Sequence, residues 1–177
     1  MSEEKSKSPW LDQIKEWAKD IAIALAIGLV LKGSVADARM VPTPSMVPTV
    51  QVGDRIFVEK VILKFTGINR GDIIVFTPPV PSPDDYLKRV IGLPGETVEV
   101  KNGQVYINGE PLAEDYLAET IRYKYGPVTV PDGKVLVLGD NRNYSEDSHR
   151  WGLLEQSAIH GRAWLRYWPL NRAGALD

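Results

Sequence analysis

Cysteine is absent from the 177 residues, which removes disulfides, thiol nucleophiles and thiolate metal sites together and fits either redox compartment. Histidine is scarce. With only His149 and His160, a metal centre would have to be built mainly from carboxylates. One stretch, "DNRNYSED", has a calcium-like rhythm, but its first, third and fifth positions are Asp140, Arg142 and Tyr144. A hard cation does not accept that set. Neither a metal nor a cofactor is expected. An excess of positive charge is missing too: the formal net charge of −2 leaves no electrostatic footprint for nucleic acid. So is a long hydrophobic run. The longest purely apolar segment, "IAIALAIGLVL" from Ile21 to Leu31, has eleven residues. As a helix it covers about 16 Å, roughly half of a bilayer core.

What is present suffices for one folded domain: 44% of the residues are apolar, enough to bury a sizeable interior at this length. The first ten residues are charged, and Leu11, Ile14 and Trp17 then recur at helical spacing. Extending the apolar run to Trp17–Ala36 includes Lys19, Asp20 and Lys32; the lysines can snorkel, whereas Asp20 must sit at an interface. By itself the segment does not decide between a marginal anchor, a buried core helix, which is the usual reason for runs this short, and a cleaved signal peptide, the last because "SVADA" supplies small residues after the run.

Beyond Met40 the texture is that of β-structure. "DRIFVEKVIL", "GDIIVFT", "DYLKRVIGL", "ETVEVKNGQVYINGEPL", "KVLVLGD" and "RAWLRYWPL" are short β-rich runs punctuated by Gly, Pro and Asn. They predict a mostly antiparallel β domain. Asn102-Gly103 between alternating strands predicts a hairpin, and "FTPPVPSPDDY" predicts a loop. In "PTPSMVPT" the prolines at 42, 44 and 48 predict an extended, stiff backbone around Ser45. Gly92, Pro94 and Gly95 predict a turn. Trp164, Tyr167 and Trp168 suit either core packing or a membrane interface.

With so little histidine and no cysteine, serine is the remaining nucleophile. Its base is either a histidine, of which His149 in a charged loop is the better placed, or a lysine kept neutral by burial. Strand alternation puts Tyr86, Lys88 and Val90 on one face and Leu87, Arg89 and Ile91 on the other. Lys88 thus has an aromatic and a β-branched neighbour on its own side.

"PSMVPT" around Ser45, "RGDIIVF" at 70–76, "YLKRVIGLPGE" around Lys88 and "GDNRNYSEDSHRWG" at 139–152 occur in that order. Together they resemble the type I signal peptidases, membrane-anchored Ser-Lys proteases that remove signal peptides from exported preproteins. The resemblance runs from about Ile21 to Trp168. It implies a mostly β, antiparallel catalytic core preceded by an apolar helix. Residues 1–20 would form a cytoplasmic tail and juxtamembrane segment, 21–36 a membrane anchor, and 37–177 the catalytic domain, with a small β insertion at about 97–134. It implies Ser45 as nucleophile, Lys88 as general base, and the Ser45 N–H with the Thr43 hydroxyl as oxyanion hole. Ser145 would orient the lysine, and Asp147 would form a supporting ion pair. Where the family often reads Asp-Ser-Arg, this chain reads Asp147-Ser148-His149-Arg150, so the partner is His149 or Arg150. Asp140, Asn141 and Arg142 would brace the loop that carries Ser145. The partners implied are preproteins with small residues before the cut, and a plasma or thylakoid membrane with the catalytic domain on its outer or lumenal side. More lysine before the apolar run (Lys5, Lys7, Lys15, Lys19) than after it (Lys32, with Arg39) favours that orientation. Two rivals are a self-cleaving repressor of the Ser-Lys type, against which the apolar N-terminus argues, and a membrane-tethered β-domain that binds without catalysis.

Overall fold

The computed structural model describes residue 10 and residues 13–23, 36–60 and 62–176. The helix α1, residues 13–23, is exposed throughout. Most of the apolar segment proposed as an anchor, residues 24–35, lies outside the described residues. Among those described, no helix is long and apolar enough to cross a membrane.

The rest is mostly antiparallel β-structure, as the runs of Val, Ile and Phe predict. An eight-stranded sheet is built from β1 (Ala36–Met40), β2 (Arg55–Glu59), β3 (Ile73–Phe76), β4 (Tyr86–Gly92), β9 (Lys134–Leu138), β10 (Leu154–Glu155), β11 (Ile159–Trp168) and β12 (Gly174–Ala175). Its spatial order is β1-β2-β11-β3-β4-β9-β10, with β12 beside β11. The ten-residue β11 bridges two halves, pairing with β2 through its later residues and with β3 through its earlier ones. A second sheet of four strands, ordered β7-β6-β5-β8, lies in the chain between β4 and β9. It comprises β5 (Thr97–Lys101), β6 (Gln104–Ile107), β7 (Glu110–Pro111) and β8 (Tyr125–Thr129).

Each sheet face has its own core. Met46, Val50, Ile56, Val58, Ile73 and Val75 pack together near Ser45. Ile74, Phe76, Val90, Val135, Val137 and Leu154 fill the opposite face. All four residues of β3 are therefore buried. Burying such side chains stabilises by about 1.5–3 kcal/mol each, and it fixes the register of β4, whose Lys88 lies opposite Ile74.

The Asn102-Gly103 hairpin forms between β5 and β6, with φ of 51° and 78° at the two residues. Both are in the left-handed region a tight turn of this hand requires. Three local features differ from expectation. "DRIFVEKVIL" does not continue as a strand: β2 ends at Glu59, and Ile62–Thr66 forms the short helix α2, where the Glu59 carboxylate accepts the Leu63 N–H at 3.1 Å. β8 passes through Gly126 and Pro127, residues that mask a strand signal. The backbone at Ser45 is not extended: Pro44–Met46 is a single 3₁₀ turn between extended Thr43 and Val47. Proline at the first position of a helical turn is pre-organised for it, and the outer prolines confine the turn to those three residues.

Candidate active site

Ser45 sits on that 3₁₀ turn directly after β1. Met46, with no exposed surface, anchors the turn in the core. Lys88 projects from the middle of β4 and is only 3% exposed. Its Nζ donates to Ser45 Oγ at 2.7 Å and to its neighbour's carbonyl, Leu87 O, at 3.0 Å. The Tyr86 ring lies 5.2 Å from the ammonium. Burial disfavours the charged form and outweighs the opposing pull of Asp147, Asp140 and Glu146, so the lysine pKa is lowered to about 8. Thr43 Oγ1 is 3.2 Å from Ser45 Oγ. The pair faces a cleft of about 480 Å³ walled by Met40, Pro42, Ile56, Val75, Tyr86 and Tyr144.

The loop after β9 closes behind the serine. Asn141 donates its backbone N–H to Ser45 O at 3.0 Å and its side-chain amide to Pro44 O at 3.1 Å. Gly139 leaves room for this approach: a Cβ there would overlap both the Ser45 carbonyl and Ser145 Oγ. Ser145 is buried beside the pair, but the bond expected of it to Lys88 is not made. Among the described residues its hydroxyl has no hydrogen-bond partner, and Leu87 O takes the second lysine donor. Asp147, fully buried, caps the short helix α3 (Ser148–Trp151) and holds the Gly139 N–H through Oδ2 at 2.9 Å.

The residues matching "Signal peptidase, peptidase S26" are 14–168, a span that includes every group just described. The chain belongs to this signal peptidase family. It is 47% identical to a signal peptidase I of Leptolyngbya laminosa over 99% of this chain and 88% of that protein. It is 49% identical to a probable signal peptidase I-1 of Synechocystis over 96% of this chain and 89% of that one. It is 36% identical to thylakoidal processing peptidase 1 of Arabidopsis thaliana, covering 93% of this chain and 53% of that longer protein. A crystal structure of a signal peptidase I from Enterococcus faecalis superposes with a TM-score of 0.50 at 38% identity, over 55% of this chain and 97% of that one. Membership in the signal peptidases makes the chain a peptidase and fits its antiparallel β architecture.

In this signal peptidase the partner of Asp147 is His149. The imidazole Nδ1 lies 2.6 Å from Oδ1, and the ring stacks on Tyr123 with centroids 4.2 Å apart. Arg150, the other candidate, is exposed, and among the described residues no ion pair joins it to Asp147. The reason is geometric: the cap places Asp147 against the His149 N–H and ring, while Arg150 points outward from the third position of α3. His160 is a surface residue near Thr77 and Asp85.

Several neighbours of the site escaped the sequence reasoning. Arg89, on the strand face opposite Lys88, is buried in a bidentate pair with Asp140 at 2.9 Å for both bonds, and Thr49 Oγ1 donates to Asp140 at 2.6 Å. An arginine alternating with Leu87 and Ile91 was the available signal, since a charge on an apolar face needs a buried partner. Glu114 and Tyr116 left no such signal. Among the described residues no cluster of His, Asp and Glu is arranged to hold a metal ion.

Proposed function

We propose that this chain is a serine endopeptidase that removes signal peptides from exported preproteins with a Ser45–Lys88 dyad. The observation that carries the proposal is the 2.7 Å contact between a serine hydroxyl and a lysine only 3% exposed, whose pKa is lowered to about 8. At that value an appreciable fraction of Lys88 is neutral near physiological pH and can act as a base. A histidine scheme lacks this support. His149 is committed to Asp147 and His160 to Thr77, and among the described residues neither bonds Ser45.

In the proposed reaction the substrate lies extended in the cleft, where backbone pairing supplies affinity and small pockets admit small side chains before the cut. Neutral Lys88 takes the Ser45 proton as Oγ attacks the scissile carbonyl, and returns it to the departing amine. The Ser45 N–H and the Thr43 hydroxyl receive the oxyanion, worth about 3 kcal/mol per donor in comparable sites. Lys88 then deprotonates the water that releases the acyl-enzyme. Asp147 keeps the loop behind the pair in place through the Gly139 N–H, with His149 as its partner.

The cyanobacterial and thylakoidal names of the relatives support a plasma or thylakoid membrane as the place of action. Residues 21–36 would anchor the chain there, with the catalytic domain outside or in the lumen. The test is to incubate detergent-solubilised protein with a preprotein and sequence the new N-terminus. Wild type should cut once after a small residue, and Ser45→Ala and Lys88→Ala should not cut. Normal cleavage by folded Lys88→Ala would overturn the dyad.

A further inference from the structure

The segment between β7 and β8, part of the small sheet, reaches across to the loop behind Ser45. Its Glu114 side chain is 4% exposed and forms a two-pronged pair with Arg142, itself 1% exposed: Arg142 Nη1 donates to Oε2 at 2.9 Å and Nη2 to Oε1 at 2.5 Å. The remaining guanidinium donor, Nε, goes to Gly139 O at 3.0 Å. Arg142 thus clamps the glycine whose Cα faces Ser45 O and Ser145 Oγ. One residue earlier, Asn141 holds the carbonyls of Ser45 and Pro44.

The same carboxylate reaches towards the base. Glu114 Oε1 accepts the Tyr116 hydroxyl at 2.6 Å, and the Tyr116 ring lies 4.1 Å from the Arg89 guanidinium. Arg89 adjoins Lys88 in β4 and is locked to Asp140. Two buried arginine–carboxylate pairs therefore flank Asn141, and Glu114 with Tyr116 touches both. A fork-to-fork pair fixes orientation as well as position, so the loop holding the serine and the strand holding the lysine are referenced to one side chain.

We propose that Glu114 is a positioning residue for the hydrolytic reaction, setting the Ser45–Lys88 alignment through Arg142 and Tyr116 from outside the main sheet. The proposal rests on the dyad. It differs from a purely structural ion pair in what it predicts. Loss of a structural pair lowers the folded fraction and leaves the rate per folded molecule unchanged at every pH. Loss of alignment weakens the Lys88–Ser45 contact and admits water to the lysine, which favours the ammonium form and moves the acid limb of the rate profile upward.

The experiment uses the full chain in detergent and a preprotein substrate. Rates are normalised to folded protein by circular dichroism and taken well below each Tm. Glu114→Gln keeps the shape and removes the charge; Arg142→Lys keeps the charge and removes the fork and the Nε bond. Each should lower kcat by about tenfold or more with KM within about twofold, and shift the acid limb of kcat/KM up by about half a pH unit. Glu114→Asp should recover part of kcat. Arg122→Ala, which breaks an exposed pair with Glu119 on the same segment, should leave all three parameters unchanged. Wild-type kcat per folded molecule with an unshifted acid limb in Glu114→Gln and Arg142→Lys would overturn the proposal. So would failure of both to fold, which would assign the pair to stability alone. Activity in Ser45→Ala would instead refute the dyad, so the two failures are distinguishable.

Discussion

Replacing Lys88 by methionine should stabilise the protein near neutral pH while abolishing cleavage, and the gain should fade as pH rises. The folded-state pKa of about 8 lies below the unfolded value of about 10.4. The unfolded chain therefore binds more protons across that window, and wild-type stability rises with pH through it. Burial of the ammonium costs the folded state about 3 kcal/mol at about pH 7 and under about 1 kcal/mol at about pH 10, at roughly 1.4 kcal/mol per pH unit of displacement. Lys88 is only 3% exposed, so little of this is screened by solvent. Methionine removes the cost and loses the bonds to Ser45 Oγ and Leu87 O, which offset the gain by about 1 kcal/mol each. Thermal unfolding of detergent-solubilised wild type and Lys88→Met from about pH 6.5 to 10 should show the variant ahead at the acid end, with the wild type gaining on it by about 2 kcal/mol. In parallel, wild-type kcat/KM should climb with a midpoint of about 8, because only the neutral amine accepts the Ser45 proton. A Tm difference independent of pH, or a flat rate profile across that interval, would refute the assignment of a buried, titrating base.

Thr43→Val should lower kcat by about 10²–10³, the usual effect of removing one oxyanion donor, while Thr43→Ser retains most activity; single-turnover cleavage separates the two. His149→Ala should destabilise by about 1–2 kcal/mol because it leaves the buried Asp147 short of a partner, whereas exposed Arg150→Ala should stay within about 0.5 kcal/mol by urea denaturation. Breaking the buried Arg89–Asp140 pair with Asp140→Ala should cost about 3–5 kcal/mol; a fall in the urea midpoint equivalent to less than about 1 kcal/mol would show that Arg89 finds another acceptor.

The short-range features of this protein are those its sequence determines alone. Asn102-Gly103 dictates a left-handed two-residue turn whatever surrounds it, and the β-branched runs 73–76 and 134–138 have no better use than buried strands. Alternation in β4 likewise put Lys88 beside Tyr86 and Arg89 on the other face. Alternation states which residues share a face, however, and not what covers that face. Only the tertiary structure buries Lys88 against the turn at Ser45, 43 residues away, and so decides that it behaves as a base and not as a solvated surface lysine. It also turns prolines that suggested an extended segment into the flanks of a 3₁₀ turn. Likewise, Asp147 meets His149 and not Arg150 because the cap of α3 fixes where its carboxylate points. Glu114 and Arg142, 28 positions apart, carry no mutual signal at all. A charge in sequence specifies only its sign, and whether it is solvated or paired depends on which distant segments exclude water from around it.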